Sequence, residues 1–163
     1  MQSLVAQPIN AQAFAPYGHL LSAPRDNGRT YFDDQLVSLR AGARASLSLS
    51  RQDAWVGDRV VATTLERHRL SSQSFIPLDV DRFMVMVAPK AANGYPDLAG
   101  LQAFIVAGDQ GITYRADTWH HPMTVFGRPA RFAIMMWLDG GADDEEFYDL
   151  SEPVQIVVAP IGA

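Results

Sequence analysis

Residues 60–88, VVATTLERHRLSSQSFIPLDVDRFMVMVA, contain three strand-like runs and decide the fold class. The run at 60–68 is rich in β-branched residues and then alternates between apolar and polar positions. Two further apolar runs, at 74–78 and 82–88, lie on either side of an Asp-Val-Asp turn. Short strands at this spacing, with turns between them, are typical of an all-β sandwich or barrel.

The rest of the chain continues this pattern. A short N-terminal helix is predicted at 11–15, with Asn10 as its cap and Pro16 at its end. Residues 89–100 read as an insertion with one helical turn, and we expect the acidic run 143–146 to be a solvated loop. We predict a single domain over 1–163. Further strands are predicted at 45–50, 101–107, 112–115, 123–126, 130–138 and 154–159.

The composition limits the kinds of molecule that the protein is expected to bind. The 163 residues are 48% hydrophobic and 19% charged, which allows a sizeable core and is not typical of disorder. The net charge is −5 and the basic residues are scattered, so neither nucleic acid nor a membrane is an expected partner. The lack of cysteine excludes disulfides and thiolate metal sites. Since no signal-like start or long apolar run is present, we expect a cytoplasmic location.

One cluster of chemical side chains lies at 66–73. If residues 65–70 form a strand, Glu66 and His68 share one face and Arg67 points to the other. Gln73 follows after a small turn and can return to the face of His68. A carboxylate, an imidazole and an amide are therefore expected to converge.

A second cluster lies at 111–122 and adds Tyr114, Trp119 and the pair His120-His121. Adjacent residues on a strand point to opposite faces, so one histidine is expected to face a pocket while the other makes a different contact. We favour His120 as the residue that faces the pocket.

The two clusters resemble the two motifs of cupins. Glu66 stands where a cupin has its first histidine, His68 matches the second, Gln73 takes the glutamate position, and His120 or His121 takes the late histidine. A fuller resemblance, to the ureidoglycolate lyase family, covers nearly the whole chain. It is carried by these segments: Phe14-Ala-Pro-Tyr-Gly18, Glu66-Arg-His68, Ser72-Gln-Ser-Phe-Ile-Pro-Leu78, Val85-Met-Val-Ala88, Pro96-Asp-Leu98, Leu101-Gln-Ala-Phe104, Gln110-Gly111, Tyr114 and Trp119-His-His-Pro122.

The resemblance implies a cupin-like double-stranded β-helix, a jelly-roll barrel with a short N-terminal helix, that forms a homodimer. It implies a lyase of allantoin and purine breakdown, which releases urea from the small molecule (S)-ureidoglycolate and leaves glyoxylate. The chain departs from the family pattern at Arg69, at Ser71-Ser72 and at Met136-Trp137. Because Met136-Trp137 replaces a common Asp-Arg pair, an enzyme or binding protein for another small hydroxy- or oxo-acid is the alternative.

The expected reaction needs a base, a group that assists the departing urea nitrogen, and donors for the carboxylate. His120 or His68, oriented by Glu66, is the candidate base. The candidate substrate-binding residues are Gln73, Tyr114, Arg25, Asn27, Arg115, Trp119 and His121. A divalent metal, nickel or zinc, held by Glu66, His68, Gln73 and His120 is the cofactor that the cupin resemblance allows.

Overall fold

Strands dominate the part of the chain that the structure, a computed structural model, describes, which is residues 2–159. The helix α1 (Ala11–Phe14) and two 3-10 turns, Asp33–Gln35 and Leu98–Gly100, are the helical elements of this part. The strands are β1 (Gln2–Val5), β2 (Gln7–Pro8), β3 (Gly18–Leu21), β4 (Arg44–Gln52), β5 (Arg59–His68), β6 (Gln73–Asp79), β7 (Arg82–Ala88), β8 (Gln102–Ala107), β9 (Gly111–Tyr114), β10 (Trp119–His120), β11 (Thr124–Phe126), β12 (Ala130–Leu138) and β13 (Glu145–Val157).

The strands form two sheets. The larger has the order β1-β13-β5-β10-β7-β8-β2, with β11 also paired to β7, and the smaller has the order β3-β9-β6-β12-β4. β1 pairs with β13 and β2 with β8, both in parallel, so residues 2–8 join the two edges of the larger sheet. That sheet therefore curls into a nearly closed barrel, with the smaller sheet packed on its outside. The predicted all-β, cupin-like architecture is confirmed.

Strand β7 is buried on both faces and separates two apolar cores. Met84 and Met86 pack inside the curled sheet with Trp119, and both methionines have no exposed surface. Phe83 and Val85 point the opposite way, into the core between the two sheets. Burial of one such side chain stabilises the folded state by about 1.5–3 kcal/mol, so β7 contributes to the stability of both cores. The inter-sheet core leaves a polar cavity at one end.

The predicted helical elements are present. Asn10 caps α1, since its Oδ1 accepts the Ala13 backbone N–H at 2.8 Å, and the helix ends before Pro16. The insertion after β7 contains the 3-10 turn, and Asp97 Oδ1 accepts the Ala99 N–H at its start. In residues 2–159 no helix has the length and apolar character needed to cross a membrane.

The prediction of a solvated acidic loop at 143–146 is wrong. Asp144 is only 3% exposed, and Glu145 and Glu146 begin β13, which is far longer than the predicted strand at 154–159. The cause is long-range pairing: β13 runs antiparallel to β5 along most of its length, with a register shift between Asp149 and Val154. The sequence pattern also missed β1, β2 and β3, and the first two depend on pairing with distant edges of the larger sheet in the same way.

Candidate active site

A cavity of about 260 Å³ opens between the two sheets and is lined by three of the predicted site residues, Glu66, His68 and Gln73. Two cross-strand pairs each supply one lining residue and place a second residue beside it. His120 on β10 lies opposite Glu66 on β5 in the larger sheet, and Gln73 on β6 lies opposite Tyr114 on β9 in the smaller. The residues that line the cavity are Glu66, His68, Gln73, Met136, Leu138, Gly141, Ala142, Asp144 and Glu145.

The alternation of β5 sorts its side chains as predicted. Glu66 and His68 face the cavity, whereas Arg67 points into the curled sheet, where it stacks on Trp119 at 4.3 Å. β10 repeats this division with two residues, because Trp119 packs inside the curled sheet while His120 turns toward Glu66. The geometry therefore selects His120 as the member of the His-His pair that faces the site.

His120 is fixed from two sides. Its Nδ1 contacts the Thr118 carbonyl oxygen at 2.9 Å, and its ring stacks on Tyr114 with centroids 4.1 Å apart. A carbonyl oxygen only accepts, so Nδ1 carries a proton and Nε2 is directed toward Glu66. Nε2 lies 3.3 Å from Glu66 Oε1, although off the direction of a good hydrogen bond.

Glu66 and His120 are close enough to share one proton. If neither Nε2 nor Oε1 carried it, two lone pairs would face each other at 3.3 Å inside the protein. Burial raises the pKa of Glu66, but the close His120 outweighs it, and the net pKa lies below the usual value. Glu66 is therefore ionised near neutral pH, and its carboxylate lies between His120 Nε2 and the cavity that Glu66 lines.

His68 is the complementary group. Burial, together with the neighbouring His120, lowers the pKa of His68, against the opposing charges of Asp144, Glu66 and Glu145. The His68 ring is therefore neutral near pH 7 and can accept a proton. Its ring centroid lies 6.1 Å from that of His120, so the two imidazoles are neighbours at this end of the site.

Two polar atoms of the smaller sheet have no partner. Gln73 Oε1 and the Tyr114 hydroxyl are both buried without a hydrogen bond. A buried unsatisfied polar atom costs about 1–3 kcal/mol, so such atoms beside a cavity indicate a ligand that completes them. Burial raises the pKa of Tyr114 well above its usual value, so its hydroxyl stays protonated and can donate.

The side chains do not form a ready metal site. Among the described residues, no three His, Cys, Asp or Glu side chains come together in a way that could hold a metal ion. Of the four residues that the cupin resemblance offers as ligands, Glu66 and His120 make a close contact with each other.

Comparison with known proteins agrees with this description. The family model for ureidoglycolate lyase matches residues 1–157. The chain belongs to the ureidoglycolate lyase family. It is 33% identical to the ureidoglycolate lyase of a Chelativorans species, over 96% of this chain and 97% of the relative. The Schizosaccharomyces pombe ureidoglycolate lyase is 29% identical over 96% of each chain.

Membership of the ureidoglycolate lyase family makes the chain an enzyme of the lyase class. Among solved structures, a dTDP-sugar isomerase from Desulfovibrio desulfuricans shares 16% identity at a TM-score of 0.49, over 80% of each chain. That likeness is too low to support any inference about the site.

Several residues predicted to bind substrate are not brought to the cavity. Arg25 and Asn27 lie in an exposed loop after β3, and Arg115 is exposed, with its Nε donating to the Ala15 carbonyl at 3.1 Å. Trp119 lies on the opposite face of β10, where its indole N–H donates to the Gly94 carbonyl. His121 lies just beyond β10, and burial lowers its pKa.

Other lining residues were missed in the sequence. Met136 and Leu138 reach the cavity because alternation along β12 turns them inward. The predicted strand at 130–138 could have identified that face. Asp144 and Glu145 gave no such signal, because their run of four acidic residues resembles a solvated loop.

Proposed function

We infer that this enzyme is a ureidoglycolate lyase that cleaves (S)-ureidoglycolate into glyoxylate and urea. One observation carries the inference: a neutral imidazole, His68, and the carboxylate of Glu66 line the same small cavity, and His120 Nε2 lies 3.3 Å behind that carboxylate. The reaction needs a base and an acid on one substrate, and these groups supply both. The family match over residues 1–157 supports the choice of substrate.

The substrate carbon carries a hydroxyl group, a carboxylate and the urea nitrogen. We propose that His68 accepts the hydroxyl proton while the carbon–oxygen bond becomes a carbonyl. The carbon–nitrogen bond breaks, and His120, beside Glu66, donates its proton to the departing nitrogen. Atoms and charge balance without an added reactant, because one proton is taken up and one is released. Each of these steps typically contributes 10²–10⁴-fold to the rate.

Gln73 and Tyr114 are proposed to orient the substrate. The Tyr114 hydroxyl can donate to an oxygen of the urea group or of the forming carbonyl, and Gln73 Oε1 can accept a urea N–H. Both atoms lack partners in the protein, so substrate would supply the missing hydrogen bonds. Substrates that form such bonds are favoured strongly over analogues that lack them.

One feature favours a second candidate substrate. Met136 and Leu138 give the cavity an apolar side, and its described lining includes no lysine or arginine to hold a carboxylate. An enzyme for another small hydroxy- or oxo-acid with an apolar substituent would use this surface. The protonated His120 would then be the cation that faces the acid group.

The test is urea release from (S)-ureidoglycolate by the purified, folded protein. We expect turnover with this substrate and none with N-carbamoylglycine, which lacks the hydroxyl proton that His68 would remove. If folded protein releases no urea, with or without added Ni²⁺ or Zn²⁺, the proposed reaction is wrong. A thermal-shift screen of small hydroxy- and oxo-acids would then test the second candidate.

We propose that the reaction proceeds without a metal, with a divalent ion held by Glu66, His68, Gln73 and His120 as the competing hypothesis. Metal analysis of protein purified without a histidine tag, followed by chelator treatment, separates the two. We expect less than a twofold change in turnover after chelation. Stoichiometric nickel or zinc whose removal abolishes turnover would establish the competing hypothesis.

We also propose the homodimer and the cytoplasmic location that the sequence led us to expect. An apolar row crosses the outer face of the smaller sheet, where Leu49, Ala133 and Ile76 are neighbours on three strands. Leu49 is 74% exposed, so a second copy that packs on this row would bury it. Light scattering of wild type and Leu49→Arg tests the dimer, and cell fractionation tests the location.

A further inference from the structure

Asp144 lies beside the cavity, and its buried carboxylate takes no part in the proposed reaction. Its Oδ1 accepts the Leu70 backbone N–H at 2.6 Å, and its Oδ2 accepts the Ser71 hydroxyl at 2.7 Å. Arg40, itself largely buried, approaches Oδ2 at 3.5 Å. These donors hold the carboxylate in one orientation.

The same carboxylate oxygen faces His68. Asp144 Oδ2 lies 3.8 Å from His68 Nδ1, a buried nitrogen that has no hydrogen-bond partner. This distance exceeds that of a hydrogen bond, but such contacts in free enzymes often tighten only when substrate binds. A carboxylate accepts and does not donate, so it favours the neutral His68 tautomer with the proton on Nδ1. The Nε2 lone pair then remains for the substrate.

The other charged groups near His68 are arranged differently. Glu66, Glu145 and His120 also face it. Glu66 lies against His120. Glu145, which is the cross-strand neighbour of His68 on β13, is exposed to solvent. Asp144 is the buried carboxylate whose oxygen comes within 4.0 Å of a His68 nitrogen in the described chain.

We propose that Asp144 is a positioning residue, which holds His68 in the Nδ1-protonated tautomer and presents Nε2 to the substrate. The effect of this positioning on turnover rests on the proposed lyase function. The tautomer itself requires no substrate, so it can be measured whether or not the protein acts on ureidoglycolate.

The experiment records the tautomer by NMR of protein with ¹⁵N-labelled histidine, with the His68 signal identified by its loss in His68→Gln. We expect Nδ1 protonated and Nε2 bare in wild type at pH 7.5. In Asp144→Asn the side-chain amide can donate to Nδ1, so the tautomer should change to Nε2-protonated. Turnover should fall about 10²-fold, with KM changed by less than threefold.

Asp143→Asn is the matched control, because Asp143 is exposed in the same loop and loses the same charge. We expect its tautomer and kcat to match wild type. If Asp144→Asn loses thermal stability but keeps the wild-type tautomer and kcat, Asp144 is only structural and the proposal is wrong. If that variant does not fold, the wild-type spectrum decides alone, since an Nε2-protonated His68 there overturns the proposal. A correct tautomer in a protein that releases no urea would reject the lyase function and leave this inference intact.

Discussion

Both faces of β5 and β10 carry buried polar side chains, but these have hydrogen-bond partners on one face and lack them on the other. On the face that points into the curled sheet, the barrel face, every guanidinium nitrogen of Arg67 has a partner. Two of them donate to Glu146 and one donates to the Gly94 carbonyl. On the cavity face, His68 Nδ1 and His120 Nε2 have no good hydrogen bond. Buried polar atoms without partners lower stability, so a protein keeps them where a ligand uses them. One face therefore stabilises the strands, and the other is available for chemistry.

The largest expected effect comes from removing the base on the cavity face. His68→Gln keeps a polar side chain of similar size but has no group that accepts a proton at neutral pH. We expect kcat to fall about 10³-fold, while the thermal unfolding midpoint stays close to wild type. Steady-state urea release and circular dichroism measure the two quantities.

The matched control for this variant is His19→Gln, on β3 and outside the cavity lining. Its turnover should equal that of wild type. Wild-type turnover in His68→Gln would remove His68 as the base and leave the Glu66–His120 pair to explain the reaction.

The next effect comes from the barrel face. Arg67→Met fills a similar volume but removes the ion pairs with Asp117 and Glu146 and the stacking on Trp119. Both carboxylates are partly exposed, so the loss is smaller than for a fully buried pair, and we expect about 2–3 kcal/mol less free energy of unfolding. Urea denaturation monitored by tryptophan fluorescence gives this value.

Arg69→Met is the control for Arg67→Met, because its side chain is 56% exposed and lies 4.0 Å from Glu146. We expect less than about 0.5 kcal/mol of change. Equal losses in the two variants would mean that the barrel face is not the source of the strands' stability.

The sequence predicted the two faces but not everything that completes the site. Alternation alone separated Glu66 and His68 from Arg67, because side-chain direction along a strand has a period of two. The burial of Asp144 could not be predicted, since its partners include Leu70 and Arg40, 74 and 104 residues away. The prediction of Arg25 rests mainly on the family resemblance and that of Arg115 on the need for a cation, and neither specifies where the fold places the side chain.

The smallest expected effect is on the pH dependence of the free energy of unfolding. Measuring it distinguishes the contribution of the cavity face from that of the barrel face. The folded state holds the pKa of His68 below that of the unfolded chain, about 6.5. The unfolded state therefore binds the proton more readily, so stability is complete above pH 6.5 and is lost as the pH falls toward the lowered pKa. Each proton taken up on unfolding adds a slope of up to about 1.4 kcal/mol per pH unit.

Urea denaturation of wild type, His68→Gln and Arg67→Met between pH 5 and 8 measures this slope. We expect it to be shallower in His68→Gln and unchanged in Arg67→Met, because Arg67 stays charged throughout this range. Burial lowers the pKa of His121 as well, so part of the slope should remain in His68→Gln. A slope that depends on Arg67 and not on His68 would reverse the roles assigned to the two faces, because the group that titrates on folding would then lie inside the barrel.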